Sequence, residues 1–203
     1  MERRFQALVL VVMAWAATAA QAPVQAPKAS TSAPTSVERV RLPGLPNFAR
    51  VTPRLLRGGQ PDAIGFEELK KLGVQIVVNL GHEGVEIERE RALVQAQGMQ
   101  YVSLPWRGSN TPGAGQIAEF LELLRAHPDK QIFVHCQRGA ERTGVMVACY
   151  RMSGLSWTAE QALGEMEQFG FRGLWFRHLK KFVREFPSTL LRDPLLAKMK
   201  SGT

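Results

Sequence analysis

The chain has 203 residues, of which 45% are hydrophobic and 22% are charged, so it can bury the core of one globular domain and still carry additional sequence. Its formal net charge of +8 favours anionic partners, and phosphorylated or membrane-surface substrates would account for that charge. The lysines and arginines are scattered and form no basic run interleaved with aromatic residues, which argues against a nucleic-acid-binding protein.

The N-terminus has the pattern of an export signal. Arg3 and Arg4 precede an apolar run over residues 7–17, which ends in the small residues Ala-Thr-Ala. We predict a signal peptide over residues 1–19, whose removal leaves a periplasmic or secreted protein. A membrane anchor is the alternative, but the apolar run is shorter than the roughly twenty residues that a span needs, so no stable membrane span is expected after cleavage.

The composition changes after the predicted signal peptide. Residues 20–46 consist largely of Ala, Pro, Ser, Thr and Gln, which carry too little apolar surface to offset the entropy of ordering. We predict a flexible linker there, a folded domain over residues 47–187 and a C-terminal tail over residues 188–203.

Apolar runs and helix-forming segments alternate through the folded domain. Helices are expected between the strands, with Gly73 ending the first helix and Gly98 the second, and three more helical stretches close the chain. This alternation predicts an α/β fold with a central, mainly parallel sheet flanked by helices, and a ligand loop at the carboxyl end of a central strand. Strands are expected at residues 74–80, 99–104 and 132–135. Residues 47–51 and 55–61 are expected to form an edge strand that ends in a Gly-Gly turn.

The apolar and aromatic side chains near the C-terminus could form either a binding surface or part of the core. Their helical spacing favours the core for Phe169, Phe171, Leu174, Trp175, Phe176, Leu179, Phe182 and Phe186. Cys149 lies among apolar neighbours and is predicted to be a buried core residue rather than a redox partner.

The stretch around Cys136 carries the chemistry. An apolar β-branched run ends there in a short polar loop. Apolar residues resume at Val145, where a helix is expected. Unpaired N–H groups and the positive end of the helix dipole favour an anion at such a helix N-terminus, so a phosphate site is expected. The same field favours the thiolate of Cys136, which is the nucleophilic form. The predicted phosphate-binding residues are Gln137, Arg138, Gly139, Ala140, Glu141 and Arg142.

Three residues around this loop have predicted supporting roles. The planar fork of Arg142 can bind two oxygens of a phosphoryl group during transfer. Thr143 could donate its hydroxyl to the Cys136 sulfur and so stabilise the thiolate as a leaving group. His135, on the strand before the nucleophile, is expected to orient the loop by hydrogen bonding.

The sequence His135-Cys136, five residues, then Arg142-Thr143-Gly144 resembles the signature of cysteine-dependent protein tyrosine and dual-specificity phosphatases. Residues 57–61 and 77–80 look like segments of the atypical dual-specificity phosphatases of bacteria, fungi and plants. The resemblance implies a phosphatase-like fold, a phosphocysteine intermediate and no cofactor. A rhodanese is the alternative, although its loop is usually one residue shorter. No metal site is predicted, because the histidines have no Cys, Asp or Glu at ligand spacing.

The general acid of such a reaction is not evident. Most relatives carry an Asp on an upstream loop, but the corresponding residues 104–113 contain no carboxylate. Two candidates are Glu141, immediately before Arg142, and Glu119 in the following helix. We favour Glu141, because the myotubularin lipid phosphatases have an Asp just before the signature Arg.

The sequence leaves three functions open. The first is an exported phosphomonoester hydrolase that acts on phosphotyrosine proteins, as a tyrosine or dual-specificity phosphatase. The second is a phosphoinositide or inositol phosphate phosphatase, which the basic charge and Arg138 favour. The third, of another class, is a phosphate-binding pseudophosphatase, which the absent Asp favours.

Overall fold

The fold is known from a computed structural model that describes residues 37–81, 85–107 and 110–200. The predicted signal peptide and most of the predicted linker lie outside the described residues.

Five strands form one mainly parallel sheet. The predicted edge strand is in fact two strands, β1 and β2, and only β1 lies at the edge. The order across the sheet is β1-β2-β5-β3-β4, and every pair is parallel except the edge pair β1 and β2. The signature strand β5 therefore lies in the centre. The strands are β1 Ala49–Arg50, β2 Leu55–Gly58, β3 Val74–Asn79, β4 Gln100–Ser103 and β5 Gln131–His135.

Helices cover both faces of this sheet because successive side chains of the buried strands point to opposite sides. Val77 and Phe133 pack against α1 and α2, whereas Val78 and Val134 pack against the helices of the other face. None of the helices among the described residues is long and apolar enough to cross a membrane. The helices are α1 Ala63–Lys71, α2 Val85–Ala96, α3 Ala114–Ala126, α4 Glu141–Gly154, α5 Ala159–Gln168, α6 Arg177–Arg192 and α7 Pro194–Ala197.

The predicted ends of the first two helices are confirmed. Gly73 follows α1 with a φ of 86°, and Gly98 follows α2 with a φ of 72°. Both angles lie in the left-handed region that glycine adopts without steric cost, which is the usual end of a helix.

The predicted folded domain, residues 47–187, is too short at both ends. On the N-terminal side Leu45 is buried, and the amide of Asp62 donates to the carbonyl of Gly44 at 3.2 Å. On the C-terminal side α6 continues through Pro187, and α7 follows it. Leu190 and Leu196 are buried in the core, so apolar burial holds the predicted tail in the fold.

The C-terminal aromatic residues follow the prediction in part. Phe169, Phe171 and Phe186 are buried. Leu174 and Trp175 are 81% and 80% exposed, so the prediction of core packing is wrong for them. The helical period fails there because residues 172–176 form a turn between α5 and α6, in which the amide of Trp175 donates to the carbonyl of Arg172.

Cys149 of α4 is fully buried in the core, as predicted. Its burial raises the pKa of the thiol well above the usual value, so Cys149 stays a protonated, apolar core residue.

Candidate active site

The signature loop, residues 136–142, runs from the carboxyl end of β5 into the first turn of α4, which begins at Glu141. Cys136 is the first residue after β5 and is almost completely buried. The amide of Leu80 donates to the carbonyl of His135 at 2.9 Å, which extends the pairing of β3 and β5 up to the loop. A guanidinium nitrogen of Arg142 donates to the carbonyl of Leu80 at 2.9 Å, so Arg142 is held at the carboxyl end of the sheet.

Glycines allow β2 to pass directly behind this loop. A Cβ on Gly139 would lie 2.5 Å from the backbone of Gly58 and Gly59, and Gly139 has a φ of 71°. From the other side, a Cβ on Gly59 would lie 3.1 Å from the carbonyl carbon of Arg138. The glycine pair after Arg57 therefore makes room for the signature loop.

A buried arginine supports the loop from below. The guanidinium of Arg57 donates to the carbonyl of Gly139 at 2.9 Å, pairs with Glu165 at 3.3 Å and lies 3.7 Å from the centre of the Phe169 ring. Burial lowers the pKa of Arg57 to about 10, although Glu165 opposes this change. Glu165 also pairs with Arg151 at 2.9 Å, so two buried cations share one carboxylate beneath the loop.

Sequence reasoning assigned no role to Arg57. The sequence does contain a sign of this role, because Arg57 lies between Leu56 and Gly58 in a strand whose residues are all buried. A strand of this kind places a charge inside the protein, where it requires a partner.

A buried carboxylate of α2 contacts the residue before the nucleophile. Glu90 Oε1 lies 2.7 Å from His135 Nε2, and Glu90 Oε2 accepts from Asn79 at 2.6 Å and from Gln60 at 3.0 Å. His135 therefore hydrogen-bonds to Glu90 of α2 rather than to the loop itself, and this bond fixes the imidazole ring directly before Cys136. That His135 orients the loop stays a prediction.

Glu90 was also missed by sequence reasoning. The signal was its position three residues after Ile87 and four before Val94, both of which are buried. A carboxylate on the apolar face of an amphipathic helix points into the protein and needs hydrogen-bond donors there.

Two of the predicted loop residues bind one another. Arg138 pairs with Glu141 at 2.6 Å across the loop, and Glu141 is nearly buried. The hydroxyl of the buried Thr143 lies 3.5 Å from the carbonyl of Gly58, whereas the predicted partner was the Cys136 sulfur. The roles of Glu141 as acid and of Thr143 as donor to the thiolate stay predictions.

Two cavities adjoin the signature loop. One, of about 770 Å³, is lined by Gln60, Asn79, Glu86, Glu90, Gln137 and Arg142 among others. The second, of about 950 Å³, lies at Arg138 and includes Arg39, Arg41, Asn47, Asp62 and Phe169. Glu119 is exposed on α3 and is not among the lining residues of either cavity, whereas Glu86 shares a cavity with Arg142.

Asn47 ties the loop to the connection between α5 and α6. Its side-chain amide donates to the carbonyl of Arg138 at 3.2 Å and to that of Phe169 at 3.0 Å. In the part of the chain that the structure describes, no group of three or more His, Cys, Asp or Glu is placed to hold a metal ion.

Comparison with known proteins identifies the family. A sequence profile described as "DSP-PTPase phosphatase fused to NAD+ Kinase" matches residues 41–183. Dual specificity protein phosphatase TpbA of Pseudomonas aeruginosa (strain UCBPP-PA14) is 30% identical over 125 residues, which are 62% of this chain and 55% of TpbA. The match thus spans about half the length of TpbA. Inositol diphosphatase DSP3 of Arabidopsis thaliana is 29% identical over 161 residues, which are 75% of this chain and 76% of that protein.

Solved structures show the same relationship. The crystal structure of P. aeruginosa TpbA matches with a TM-score of 0.66 and 26% identity over 84% of this chain and 100% of that chain. A structure of TpbA in complex with pTyr matches with the same TM-score over 85% of this chain and 100% of that chain. Because the profile matches more than half of its residues, the chain belongs to the DSP-PTPase family of cysteine-based phosphatases.

Proposed function

We propose that the protein is a phosphomonoester hydrolase that acts through a phosphocysteine at Cys136. One observation carries this proposal: Cys136 and Arg142 border one loop at the N-terminus of α4, with Arg142 fixed by the carbonyl of Leu80. Such a loop presents backbone N–H groups to a phosphate. The buried pair of Arg57 and Glu165 keeps the loop in this shape by binding Gly139.

The reaction has two steps. The Cys136 thiolate attacks phosphorus, the bond to the substrate oxygen breaks, and the electron pair leaves with that oxygen, which takes a proton from a general acid. The conjugate base then removes a proton from water, whose oxygen attacks phosphorus and releases phosphate and the thiolate. Arg142 stabilises the negative charge on the phosphoryl oxygens in both steps.

Glu141 remains our candidate for the general acid. Its carboxylate lies in the signature loop, directly before Arg142, and is bound by Arg138. To donate a proton it has to exchange Arg138 for the leaving-group oxygen, and a substrate phosphate that attracts Arg138 would release it. Glu86, which lines a cavity together with Arg142, is the competing carboxylate.

Phosphotyrosine proteins are the leading substrate class. The named relative TpbA is a dual specificity protein phosphatase, and one of its structures contains pTyr. Inositol phosphates are the second class, because DSP3 is an inositol diphosphatase and because the cavity at Arg138 also contains Arg39 and Arg41. We also propose that the protein is exported, since its first 19 residues have the pattern of a cleaved signal.

Phosphate release from phosphotyrosine peptides, phosphoserine peptides, inositol phosphates and phosphoinositides tests the proposal, with Cys136→Ser as the control. We expect Cys136→Ser to reduce turnover by about three orders of magnitude or more while phosphate-mimic binding is retained, because Arg142 and the loop amides remain. Near-native hydrolysis by Cys136→Ser would exclude covalent catalysis. A wild-type protein that binds phosphate mimics and hydrolyses none of the panel is a pseudophosphatase.

A further inference from the structure

The turn between α5 and α6 exposes two large apolar side chains. Leu174 is 81% exposed and Trp175 is 80% exposed, whereas Trp106 and Trp157 are both buried. Adjacent, almost fully exposed Leu and Trp side chains at the tip of a turn are typical of a contact surface rather than of an ordinary protein surface.

The turn holds this pair outward. The amides of Trp175 and Phe176 both donate to the carbonyl of Arg172 at 3.0 Å, which closes the turn. On either side, Phe171 is buried and Phe176 packs against the core. The turn is thus anchored on both sides, while Leu174 and Trp175 between the anchors stay exposed.

A basic surface adjoins the exposed pair. Residues at spacings of three and four share one face of a helix, so the cations of α6 stand together, and one depression of about 300 Å³ is lined by Arg177, Lys180, Lys181, Arg184 and Glu185. The opposite face of α6 is buried through Leu179, Val183, Phe186 and Leu190.

The cations of this surface outnumber the carboxylates that pair with them. Lys180 pairs with Glu167 at 3.5 Å, Lys181 with Glu185 at 3.9 Å and Arg184 with Glu160 at 2.9 Å. Arg172 and Arg177, which flank the exposed pair, have no ion-pair partner among the described residues. The charge nearest to Leu174 and Trp175 is therefore available to an external anion.

We propose that Leu174, Trp175 and the basic face of α6 form a docking surface for a lipid bilayer with anionic headgroups. Trp is favoured at the boundary between headgroups and acyl chains, and Lys and Arg are attracted to anionic lipids. Two such weak signals together produce stable association where one alone is marginal. Two apolar side chains exposed on a turn can enter a deformable bilayer without requiring a matching pocket in a protein partner.

This surface is connected to the candidate active site. The connection that carries Leu174 and Trp175 begins at Phe169. The side-chain amide of Asn47 donates both to the carbonyl of Phe169 and to that of Arg138 in the signature loop. The proposal does not depend on the phosphatase activity, because lipid binding is measured without turnover.

Tryptophan emission tests the proposal directly in the full chain carrying Trp15→Phe. The remaining buried Trp106 and Trp157 give a constant background, so a change reports Trp175. We expect the emission of Trp175 to shift to the blue with vesicles of phosphatidylcholine and phosphatidylglycerol and to be quenched by brominated acyl chains. The emission should change little with vesicles of phosphatidylcholine alone. Arg177→Glu with Lys181→Glu should weaken vesicle partitioning by at least about tenfold.

The matched control reverses two charges on another helix, by Lys70→Glu with Lys71→Glu on α1, and should leave partitioning within about twofold of the parent. Circular dichroism and thermal unfolding confirm that each variant is folded. The proposal is overturned if Trp175 emission does not respond to anionic vesicles, if it responds equally to neutral ones, or if both double variants lose partitioning alike. Sedimentation with vesicles while Trp175 emission stays unchanged would assign binding to the N-terminal apolar run and equally overturn it.

Discussion

The proposed role of Arg142 requires its guanidinium to contact both the protein and the substrate. One nitrogen donates to the carbonyl of Leu80 at 2.9 Å, which leaves the remaining N–H groups for two phosphoryl oxygens. Arg142→Lys cannot make both sets of contacts, because an ammonium is a point charge without a planar fork. We expect kcat/KM for an aryl phosphate to fall by about a hundredfold or more in steady-state assays.

The matched control for this substitution is Arg125→Lys. Arg125 is exposed on α3 and pairs with Glu122 at 3.5 Å. The kcat/KM of Arg125→Lys should equal that of the wild type, because a surface ion pair contributes little to stability. Retention of near-native kcat/KM by Arg142→Lys would contradict a bidentate role for Arg142.

The general acid can be identified from the leaving group. Phenols have a pKa of about 10, well below that of alkyl alcohols, so an aryl leaving group depends less on protonation. If Glu141 donates the proton, Glu141→Gln should slow phosphoserine hydrolysis by about a hundredfold or more and aryl phosphate hydrolysis much less. The alkaline limb of the pH–rate profile should also flatten.

Carboxylates of α2 and α3 provide the comparison for Glu141. Glu88 is exposed on the first turn of α2 and pairs with Arg91 at 3.3 Å. Glu88→Gln should therefore leave the hydrolysis rates of phosphoserine and aryl phosphate substrates unchanged. Glu119→Gln should also have little effect. Equal rates of phosphoserine hydrolysis for the wild type and Glu141→Gln would remove Glu141 from the mechanism. A loss of phosphoserine hydrolysis without a similar loss of aryl phosphate hydrolysis in Glu86→Gln would identify Glu86 of α2 as the general acid.

At the scale of elements, the end of β2 and the signature loop can approach only through glycine. In Gly139→Ala, the added Cβ would meet the backbone of Gly58 and Gly59, and the residue would be held at a φ of 71°. We expect a loss of about 1 to 3 kcal/mol in the free energy of unfolding, measured by urea titration, together with a loss of activity.

Gly164 offers the opposite case in the same chain. It lies inside α5, and a Cβ there would meet nothing within 4 Å. Gly164→Ala should therefore stabilise the protein by about 0.5 to 1 kcal/mol, since alanine is the better helix former. A Gly139→Ala variant as stable as the wild type would show that the loop does not need this close approach.

The elements that the sequence predicts well are those with a strong local pattern. The β-branched runs of β3 and β5 are buried central strands, and the positions of Gly73 and Gly98 end helices. The pattern fails where a segment is neither helix nor strand. Trp175 fits a helical period in the sequence, but the turn that contains it exposes the side chain.

At the scale of the whole molecule, the support of the site comes from segments that are far apart in the sequence. Arg57 contacts Glu165 across 108 residues, and His135 contacts Glu90 across 45. Local patterns identify the signature loop because strand, loop and helix are contiguous there. They cannot identify the partners of Glu90 or Glu165, because only the strand order brings α2 and α5 to that loop.

The first residues of the chain determine where the mature protein should begin. The basic start, the short apolar run and the small residues before position 20 match the pattern of an export signal, so we expect the native protein to begin near Ala20 and to be found outside the cytoplasm. Mass analysis of protein purified from its native cells measures the N-terminus. Replacing Ala17 and Ala19 with large residues should block cleavage and leave the longer chain. A native protein that retains residues 1–19 would contradict the prediction and favour an anchor, because an uncleaved apolar run stays in the membrane.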